Sequence, residues 1–403
     1  MKRTRIASID VGTTKVCTIM ADHDGNGGLR VLGVGIAPSQ GLQKGLVVNV
    51  NEAKQSIRES VRKAERTAGY KLESAYIGVT GRHISSVNNR GAIVINRNDQ
   101  LVTPKDLKRV LDVARSVKVP NDRKLLHVIP RTYAVDGQEG VKNPVGMHGF
   151  RLDVEAHIIT AAVTSVQNLT KCIRTIGIEV EDLLMEPIAS AEAVLTEEER
   201  QNGVMMADIG GGTTDIAVFK EDTIYHTAVI PVAGYQVTRD ISVGLGLSQE
   251  MAEEMKKKYG DVTPVEKGTS DSEKTITQDG HSVSYADLSD IIRIRMEELV
   301  RLMVLELPRN DFAKFVPAGI VLTGGASNLP GVAELAHYIT RMPVRVGVPT
   351  NLYGVADTLC DPAYATGVGL ILWQMKNKGS VPAWPTNQSG FRKLLSRILP
   401  IFR

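Results

Sequence analysis

The 403-residue sequence lacks several patterns, and each absence excludes a class of protein. Its 3 cysteines, Cys17, Cys172 and Cys360, form no CxxC pair, which argues against a disulfide framework and a zinc site. It contains no Gly-Lys dipeptide, so it cannot form a Walker A loop. GxSxG and HExxH are also missing, which excludes the common serine-hydrolase and zinc-hydrolase signatures. No apolar run is as long as a membrane span, and the basic start MKRTRIASID has no apolar h-region behind it, so a signal peptide is not expected.

Length and charge distribution limit the remaining possibilities. With 403 residues, of which 42% are hydrophobic and 23% charged, the chain is expected to form a soluble globular protein of two or more lobes. Six Lys and Arg residues and no Asp or Glu lie from Lys376 to Arg403, so a slightly acidic body carries a cationic tail. Because the excess positive charge is gathered at one end, a general nucleic-acid role is disfavoured.

Two glycine-rich segments share one layout. MMADIGGGTTDIAVFK (205–220) and IASIDVGTTKVCTIM (6–20) each have an apolar run, an Asp, glycine, two threonines and a second apolar run. The flanking runs are β-prone, so each loop is predicted to join two strands as a hairpin. GLGLSQ (244–249) lacks the third glycine of a dinucleotide fingerprint.

A hairpin of this composition suits phosphate binding, because glycine lets backbone N–H groups approach a phosphate and the threonine hydroxyls add donors. Asp10 and Asp208 would repel a bare polyphosphate, so we expect them to hold Mg²⁺ through water. Two facing hairpins would clamp ATP between two related lobes. Lys15 either reaches a phosphate or is a surface charge. The candidate ATP-binding residues in the hairpins are Gly12, Thr13, Thr14, Lys15, Gly210, Gly211, Gly212, Thr213 and Thr214.

The pair of hairpins resembles the two phosphate motifs of the superfamily of actin, sugar kinases and heat-shock-chaperone ATPases, and three further segments match in order. LLMEPIASAEAVL (183–195) resembles the first connecting helix, which implies that Glu186 orients the attacking water. GIVLTGGASNLPGVAELA (319–336) resembles the adenosine motif and implies nucleoside contacts from Gly324, Gly325 and Ala326. CDPAYATGVGLILW (360–373) resembles the second connecting helix, with Ala365, Gly367 and Gly369 permitting a close helix crossing. If hydrolysis occurs, the implied catalytic residues are Glu186, Asp10 and Asp208.

GLSQEMAEEMKKKYG (246–260) resembles a helix of the bacterial actin MreB in which Glu and Lys meet the nucleoside. Glu253 and Lys256 occupy those places, and a solvated charged face is the alternative.

A segment from Arg82 to Thr160 interrupts the superfamily pattern. It contains TPKDLKRVLDVARSV, for which Thr103 is the predicted N-cap with Pro104 at the first helical position. NPVGM followed by RLDVEAH, within 127–160, and GLQKGLVVNVNEAKQSIRESVRKAE (41–65) resemble the bacterial cell-division family FtsA. The resemblance implies an α/β, actin-like two-lobed fold, with duplicated mixed β-sheet domains around a nucleotide cleft, an inserted subdomain IC and a C-terminal amphipathic helix.

The resemblance also implies subdomain boundaries. They are IA at 1–83 and 163–199, IC at 84–162, IIA at 200–235 and 308–361, IIB at 236–307, connecting helix 2 at 362–375, a flexible linker at 376–390 and the amphipathic helix at 391–403.

The tail carries a pattern that needs no family knowledge. KNKGSVPAWPTNQSG (376–390) has the composition of a flexible linker. FRKLLSRILPIFR (391–403) places apolar residues on one helical stripe flanked by cations, which is typical of a helix lying in a membrane interface. Docking of this helix on the protein's own core is the alternative. The residues predicted to meet the membrane are Phe391, Arg392, Lys393, Leu394, Leu395, Arg397, Ile398, Leu399 and Phe402.

The FtsA resemblance implies a cell-division protein that binds ATP and Mg²⁺, polymerises and tethers the tubulin-like protein FtsZ to the cytoplasmic face of the inner membrane at the division site. The implied partners are the C-terminal peptide of FtsZ, further copies of the chain, anionic lipid and, through subdomain IC, later divisome membrane proteins. Arg293, Arg295 and Arg301 are candidates for the FtsZ peptide. ATP hydrolysis is expected to be slow if it occurs at all. The alternatives are an FtsA-like pilus protein of the PilM type, a phosphotransferase such as a sugar kinase, and a chaperone ATPase.

Overall fold

The computed structural model describes residues 4–23, 28–116, 118–266, 268–269, 273–307 and 315–376. The strands in these ranges are Thr4–Val11 (β1), Lys15–His23 (β2), Leu29–Pro38 (β3), Leu42–Gln43 (β4), Leu46–Val47 (β5), Ser74–Val79 (β6), Ile84–Val94 (β7), Arg123–Val135 (β8), Gln138–Val141 (β9), Arg151–Ala162 (β10), Glu179–Met185 (β11), Val204–Ile209 (β12), Thr214–Lys220 (β13), Thr223–Ile230 (β14), Thr275–Gln278 (β15), His281–Ser284 (β16), Ile320–Thr323 (β17), Val344–Val346 (β18) and Leu352–Gly354 (β19).

The α-helices in the same ranges are Val50–Ala68 (α1), Pro104–Arg115 (α2), Val163–Arg174 (α3), Glu186–Val194 (α4), Glu197–Asn202 (α5), Gly234–Leu245 (α6), Gln249–Tyr259 (α7), Tyr285–Leu305 (α8), Val332–Thr340 (α9) and Ala365–Lys376 (α10). Short 3₁₀ turns cover Gly325–Asn328, Asp357–Leu359 and Pro362–Tyr364.

Two mixed sheets repeat one topology. The first has the strand order β11-β6-β1-β2-β3, extended at one edge by β19, and the second has the order β18-β17-β12-β13-β14. In both, the central strand pairs antiparallel with the strand that follows it in the chain and parallel with a strand reached by a crossover. The predicted duplication of a mixed sheet is therefore confirmed. We call the halves built on these sheets lobe I and lobe II.

The two predicted hairpins are also confirmed. Their strand registers show that the Thr-Thr pairs of the two motifs do not occupy equivalent positions. The last paired residues are Val11 with Val16 in one hairpin and Ile209 with Thr214 in the other, so the loops have equal length. Each is closed by a glycine N–H donating to the carbonyl three residues on, at 3.0 Å in both cases. Thr13 and Thr14 are therefore equivalent to Gly211 and Gly212, and the Thr-Thr pair of the second motif lies two positions later.

The inserted segment forms a sheet of its own. Strands β7, β10, β8 and β9 pair antiparallel, and α2 packs on them over a small core that includes Val110, Leu152 and Ala156. The predicted start of α2 is confirmed, because the backbone N–H of Thr103 donates to the Asp106 carboxylate at 2.9 Å. We call this unit the inserted sheet.

The inserted sheet contacts lobe II at β14. The Ser86 hydroxyl donates to the Thr227 carbonyl at 3.0 Å, and His157 Nε2 lies 2.9 Å from Thr227 Oγ1. The Arg131 guanidinium stacks 4.1 Å from the centre of the Tyr225 ring. The insertion therefore touches both lobes, which its place in the sequence does not indicate.

Helices α4 and α10 cross closely, as the small residues of the second connecting helix predict. A Cβ at Gly369 would lie 1.7 Å from the Ala189 carbonyl oxygen, whereas one at Gly367 would lie 3.0 Å from the end of the Ile19 side chain. Glycine at position 369 therefore sets the distance between the two helices.

This difference predicts the outcome of a matched pair of substitutions. Gly369→Ala should destabilise the protein by about 2 kcal/mol or more, since a backbone carbonyl must move. Gly367→Ala should cost less than about 1 kcal/mol, since Ile19 can change rotamer and alanine favours the helix. Urea unfolding of both variants measures the difference, and equal losses would contradict the crossing geometry.

No helix of the described residues is both long enough and apolar enough to cross a membrane. The predicted linker at 376–390 lies outside the described residues except for Lys376, which ends α10, and the amphipathic helix at 391–403 lies outside them entirely.

Candidate functional site

The tips of the two hairpins face each other across the cleft between the lobes. A Cβ built on Gly211 would lie 1.9 Å from Thr14 Oγ1, and one built on Gly212 would lie 2.5 Å from Thr13 Oγ1. The threonines of one tip thus occupy the space that the missing side chains of the other leave free. A phosphate group placed between the tips would take up this contact.

Four carboxyl groups lie buried beneath the tips. Asp10 and Asp208 end the strands that lead into the hairpins, Asp215 pairs directly across from Asp208, and Glu186 begins α4. All four are at most 8% exposed. Such a group of acids in so dry a place requires protons, cations or hydrogen-bond donors to balance it.

Burial is the main cause that raises the pKa values of these acids, and their mutual repulsion adds to it. Burial raises the pKa of Asp10 to about 7, with Lys15 opposing the shift and Asp208 adding to it. Burial likewise raises the pKa of Asp215 to about 7, against hydrogen bonds from Thr80 and Thr213. The pKa of Glu186 is raised well above its usual value by burial and then by Asp10, Asp215 and Asp208. The ionised forms of these acids are therefore disfavoured, and a cation beside them would favour ionisation.

Hydrogen bonds tie two of the acids to both connecting helices and to the opposite lobe. Asp208 accepts from Ser190 on α4 at 2.6 Å and from Thr366 on α10 at 3.0 Å. Asp215, in lobe II, accepts a bond from Thr80, which follows β6 in lobe I. A cation or anion bound at these acids would therefore act on hydrogen bonds that join the two lobes.

Sequence reasoning missed Asp215 as a site residue. Its signal was present, because this Asp closes the loop sequence DIGGGTTD. The antiparallel register shows what the motif alone did not: Asp215 lies opposite Asp208, at the place that Cys17 occupies in the first hairpin.

Lys15 is neither a free surface charge nor pointed openly at the cleft. Its ammonium group donates to the Ala363 carbonyl and lies 3.9 Å from the centre of the Tyr364 ring. Burial lowers its pKa, while Asp10 is the main group opposing that shift. Lys15 therefore joins the first hairpin to the turn that precedes α10.

The predicted nucleoside residues lie beside the second hairpin. Gly324, with φ of +85°, is so close to Asp208 that a Cβ would lie 2.3 Å from its carboxylate oxygen. A Cβ at Gly234 would lie 3.6 Å from Lys256 Nζ and 3.7 Å from the Ala326 side chain. Gly325 is exposed at the start of its 3₁₀ turn. The adenosine motif and α7 thus meet at the start of α6.

Glu253 and Lys256 form a local network rather than a solvated face. Lys256 Nζ lies 2.6 Å from Glu253 Oε2, 2.8 Å from Thr238 Oγ1 and 3.1 Å from the Gly234 carbonyl oxygen. Gly234 connects this network to the second hairpin, because its N–H donates to the Gly210 carbonyl.

Two of the predicted hairpin residues have structural contacts instead. Thr214 Oγ1 donates to the Val232 carbonyl at 2.8 Å and is fully buried in β13, so its hydroxyl is committed to the sheet. Thr213 Oγ1 donates to Asp215 at 2.9 Å and positions that carboxylate. Gly12 and Gly210 close the two loops through the hydrogen bonds described above.

A Mg²⁺ ion fits the charge of this site only with outside ligands. Among the described residues, no three His, Cys, Asp or Glu side chains are grouped so that they could hold a metal ion by themselves. The four carboxyl groups nevertheless supply hard oxygen donors, and they outnumber the one nearby cation, Lys15. Phosphate and water oxygens would complete the shell.

The three arginines predicted to meet an acidic peptide already have acidic neighbours on lobe II. Arg293 pairs with Asp290 and Glu297, and Arg301 also pairs with Glu297. Arg295 pairs with Asp240 and with Glu298. The charge that sequence reasoning assigned to a peptide is thus largely balanced within the protein.

Comparison with known proteins gives the family. A model described as Cell division protein FtsA matches residues 205–369, and one described as SHS2 domain inserted in FTSA matches residues 81–160. Over 93% of the chain and 90% of the relative, the sequence is 43% identical to Cell division protein FtsA of Pseudomonas aeruginosa. The chain belongs to the FtsA family. It is also 37% identical to the FtsA of Bacillus subtilis over 92% of the chain and 83% of that relative.

Solved structures agree on the fold at lower identity. The chain of a PilM-PilN type IV pilus biogenesis complex superposes with a TM-score of 0.67 at 18% identity, covering 92% of this chain and 99% of that one. MreB5 of Spiroplasma citri bound to ADP superposes with a TM-score of 0.56 at 14% identity, covering 92% and 96%. The predicted actin-like fold is confirmed, and the FtsA relatives decide against the PilM, sugar-kinase and chaperone alternatives.

In this FtsA family member, the buried acids should make stability depend on pH. A carboxyl whose pKa is raised on folding stabilises the folded state fully below about pH 4, and that contribution is lost as pH rises toward about 7. Asp215→Asn removes one such group. Without nucleotide, it should raise the free energy of unfolding at pH 8 by about 2 kcal/mol or more, and change little at pH 4.

Thermal unfolding at pH 4, 6 and 8 measures this dependence. Asp112→Asn, at an exposed position on α2, is the matched control. His127 and His157, whose pKa values burial lowers to about 4 and about 3, produce the opposite slope in every variant, so only the difference from wild type counts. If Asp215→Asn destabilises the protein equally at all three pH values, the carboxyl group is not under electrostatic strain.

Proposed function

We propose that this FtsA family member binds ATP and Mg²⁺ between its lobes, polymerises on the cytoplasmic face of the inner membrane and anchors the FtsZ ring at the division site. The observation that carries the proposal is the pair of equal hairpins whose tips meet above four buried carboxyl groups. The Thr13–Thr14 tip and the Gly211–Gly212 tip would both offer backbone donors to phosphates, and the acids beneath them would offer oxygens to a cation.

The chain's own residues divide the work of binding. Gly12, Gly210 and the residues at the two tips would hold the phosphates, and Asp10, Asp208 and Asp215 would hold Mg²⁺ through water. Mg²⁺ held there would supply positive charge against the charge of the phosphates. Gly324, Ala326, Glu253 and Lys256 would contact the nucleoside. MreB5 of Spiroplasma citri, which shares this fold, is bound to ADP, and this supports a nucleotide at the cleft.

Glu186 would act on a water molecule. It begins α4 beneath the hairpins, and a Cβ at Gly78 would lie 3.0 Å from its side chain, so its carboxyl group is confined from the lobe I side. Burial, and then three neighbouring acids, raise the pKa of Glu186. We infer that Glu186 orients water rather than accepting its proton, and that hydrolysis is slow.

Binding and polymerisation are connected through the junction of the lobes. Thr80 and Asp215 join lobe I to lobe II directly beneath the phosphates, so ATP and Mg²⁺ would favour one closed arrangement of the lobes. If only that arrangement has complementary ends, ATP shifts the population toward monomers that can form filaments. Hydrolysis is not required for this shift.

Membrane and partner contacts extend the proposal beyond the cleft. The tail at 391–403 would lie in the membrane interface and the linker at 376–390 would leave it free to do so. The FtsZ peptide would dock on 236–307, and later divisome proteins on the inserted sheet. Because Arg293, Arg295 and Arg301 already have carboxylate partners, an acidic peptide would have to displace Asp290, Asp240, Glu297 or Glu298.

Isothermal titration with ATP tests the nucleotide proposal. We expect one site per chain whose affinity falls at least tenfold when Mg²⁺ is removed with a chelator, because the ionised acids beneath the hairpins then repel the phosphates. Thr214→Val is a matched control in the hairpin, since its hydroxyl bonds the Val232 carbonyl away from the tips. Absence of binding, or binding that a chelator strengthens, would contradict the proposed site.

A phosphate-release assay separates a nucleotide-dependent scaffold from an enzyme. We expect turnover with ATP and Mg²⁺ well below the roughly 1 to 100 per second of kinases, both with and without vesicles. Turnover in that range would show that the cleft is built for rapid chemistry and would contradict the proposed role of Glu186.

A further inference from the structure

One face of α1 carries a row of cations that the proposed function does not use. Lys54, Arg58, Arg62 and Arg66 follow each other at four-residue spacing along the helix, so they project from one side over about 18 Å. Arg58, Arg62 and Arg66 are exposed and Lys54 is half-buried. We call these four residues the α1 cation row.

The α1 cation row has no acidic partners among the described residues. Glu59 pairs with Lys63 at 2.8 Å and Glu65 pairs with Lys71 at 2.6 Å, and Glu52 lies in the first turn of the helix. A shallow groove of about 450 Å³ runs along the row and is lined by Asn51, Lys54, Gln55, Arg58, Glu59 and Arg62. Cations that lack partners over so long a face repel one another unless an anion approaches.

A second helix adds to the charge at one end. Cys172 Sγ on α3 lies 3.8 Å from the Val50 carbonyl, which places the end of α3 against the start of α1. Lys171 and Arg174, in the last turn of α3, are both exposed. The positive face thus continues from α1 onto α3.

The chemistry of the face favours a lipid surface over a protein. Protein interfaces have an apolar core from which charged residues are depleted. Within the described chain, α1 presents no exposed large apolar side chain, and Val48, which is 63% exposed, precedes the helix. Attraction to anionic headgroups needs only clustered Lys and Arg.

The position of the row relative to the tail points the same way. The chain passes from the end of α1 through five residues into β6, and β6 contacts α10. Lys376, the last described residue, bonds Glu192 on α4 at 2.5 Å. The last described residue therefore lies at the end of the lobe I sheet where Arg66 lies, although α1 and α10 pack on opposite faces of that sheet.

We propose that the α1 cation row, extended by Lys171 and Arg174, binds anionic lipid headgroups and holds lobe I against the membrane beside the tail. This inference rests on the proposed membrane role. The tail would supply apolar insertion that is insensitive to headgroup charge, and the row would supply charge-dependent orientation of the globular body.

Vesicle co-sedimentation of the full chain tests the row and the tail separately. Arg58→Glu with Arg62→Glu should lower partitioning onto vesicles containing about a third anionic lipid by at least about twentyfold at low salt, since each cation near such a surface contributes about fivefold. The same variant should bind zwitterionic vesicles as wild type does. Arg58→Gln with Arg62→Gln should give a smaller loss in the same direction.

The matched control reverses two exposed charges on another helix, with Lys105→Glu and Lys108→Glu on α2. This control should retain binding, and an equal loss would reduce the effect to net charge and overturn the proposal. Binding of wild type to duplex DNA or polyglutamate at the same salt would also overturn it, if Arg58→Glu with Arg62→Glu lost that binding but kept vesicle binding.

Repeating Arg58→Glu with Arg62→Glu in a Leu395→Glu background distinguishes the tail anchor from the α1 cation row. If Leu395→Glu changes nothing but the row variant still loses anionic binding, the tail anchor fails and the row stands.

Discussion

Asp208→Ala is expected to abolish binding of ATP with Mg²⁺, with at least a hundredfold loss of affinity, while the fold survives. Asp208 accepts hydrogen bonds from both connecting helices and lies between Asp215 and Gly324. Its loss therefore removes a proposed cation ligand and the hydrogen bonds that join the second hairpin to α4 and α10. Ser190→Ala is the matched control: it removes one hydrogen bond but keeps the carboxylate, so we expect about tenfold.

A charge placed at the tip of the same hairpin should have a comparable effect for a different reason. Gly211→Asp puts a carboxylate where phosphate must lie, and the structure adds a steric cost because a Cβ there meets Thr14. Gly211→Ala has the steric cost alone and should lose less affinity. Isothermal titration compares all four variants, and wild-type affinity in both Asp208→Ala and Gly211→Asp would rule out the two-hairpin clamp.

Leu395→Glu is expected to release the protein from liposomes without changing its affinity for ATP. Half-burying Phe391, Leu394, Leu395, Ile398 and Phe402 in the interface contributes on the order of 4 to 7 kcal/mol before ordering costs. A charge on this stripe removes much of that energy. Ile398→Glu should act in the same way, and a filament that carries many tails should bind more tightly than one monomer.

A second pair of substitutions separates the stripe from its flanking cations. Arg392→Ala with Lys393→Ala should weaken binding mainly to anionic vesicles and reduce its dependence on salt. Co-sedimentation over a range of anionic content measures both effects. If Leu395→Glu pellets as wild type does, the tail is not the anchor.

The sequence was sufficient to predict the structure of segments that are defined by local motifs. Each hairpin is a continuous run of apolar residues, Asp, Gly and Thr, so its strands and loop could be predicted without knowledge of the rest of the chain. The same holds for Ala365 and Gly369 of α10, because small residues four apart on one helix face imply close packing, and for the capped start of α2 at Thr103.

The sequence was insufficient where the outcome depends on partners far along the chain. Lys15 is held by Ala363 and Tyr364, and Arg295 by Asp240, and no local pattern shows these pairings. The equivalence of Thr13 and Thr14 with Gly211 and Gly212 required the strand register, because the motifs look alike at an offset of two residues. Docking of the inserted sheet on β14 is likewise a tertiary contact without a sequence signature.

Electron microscopy of the purified protein on an anionic lipid monolayer, with ATP and Mg²⁺, tests the central claim most directly. We predict filaments on the lipid layer with wild type, none with Asp208→Ala because the lobes do not close on nucleotide, and none attached to lipid with Leu395→Glu. Filaments of Asp208→Ala that match wild type in number and length, or wild-type protein that stays monomeric on lipid with ATP, would contradict it.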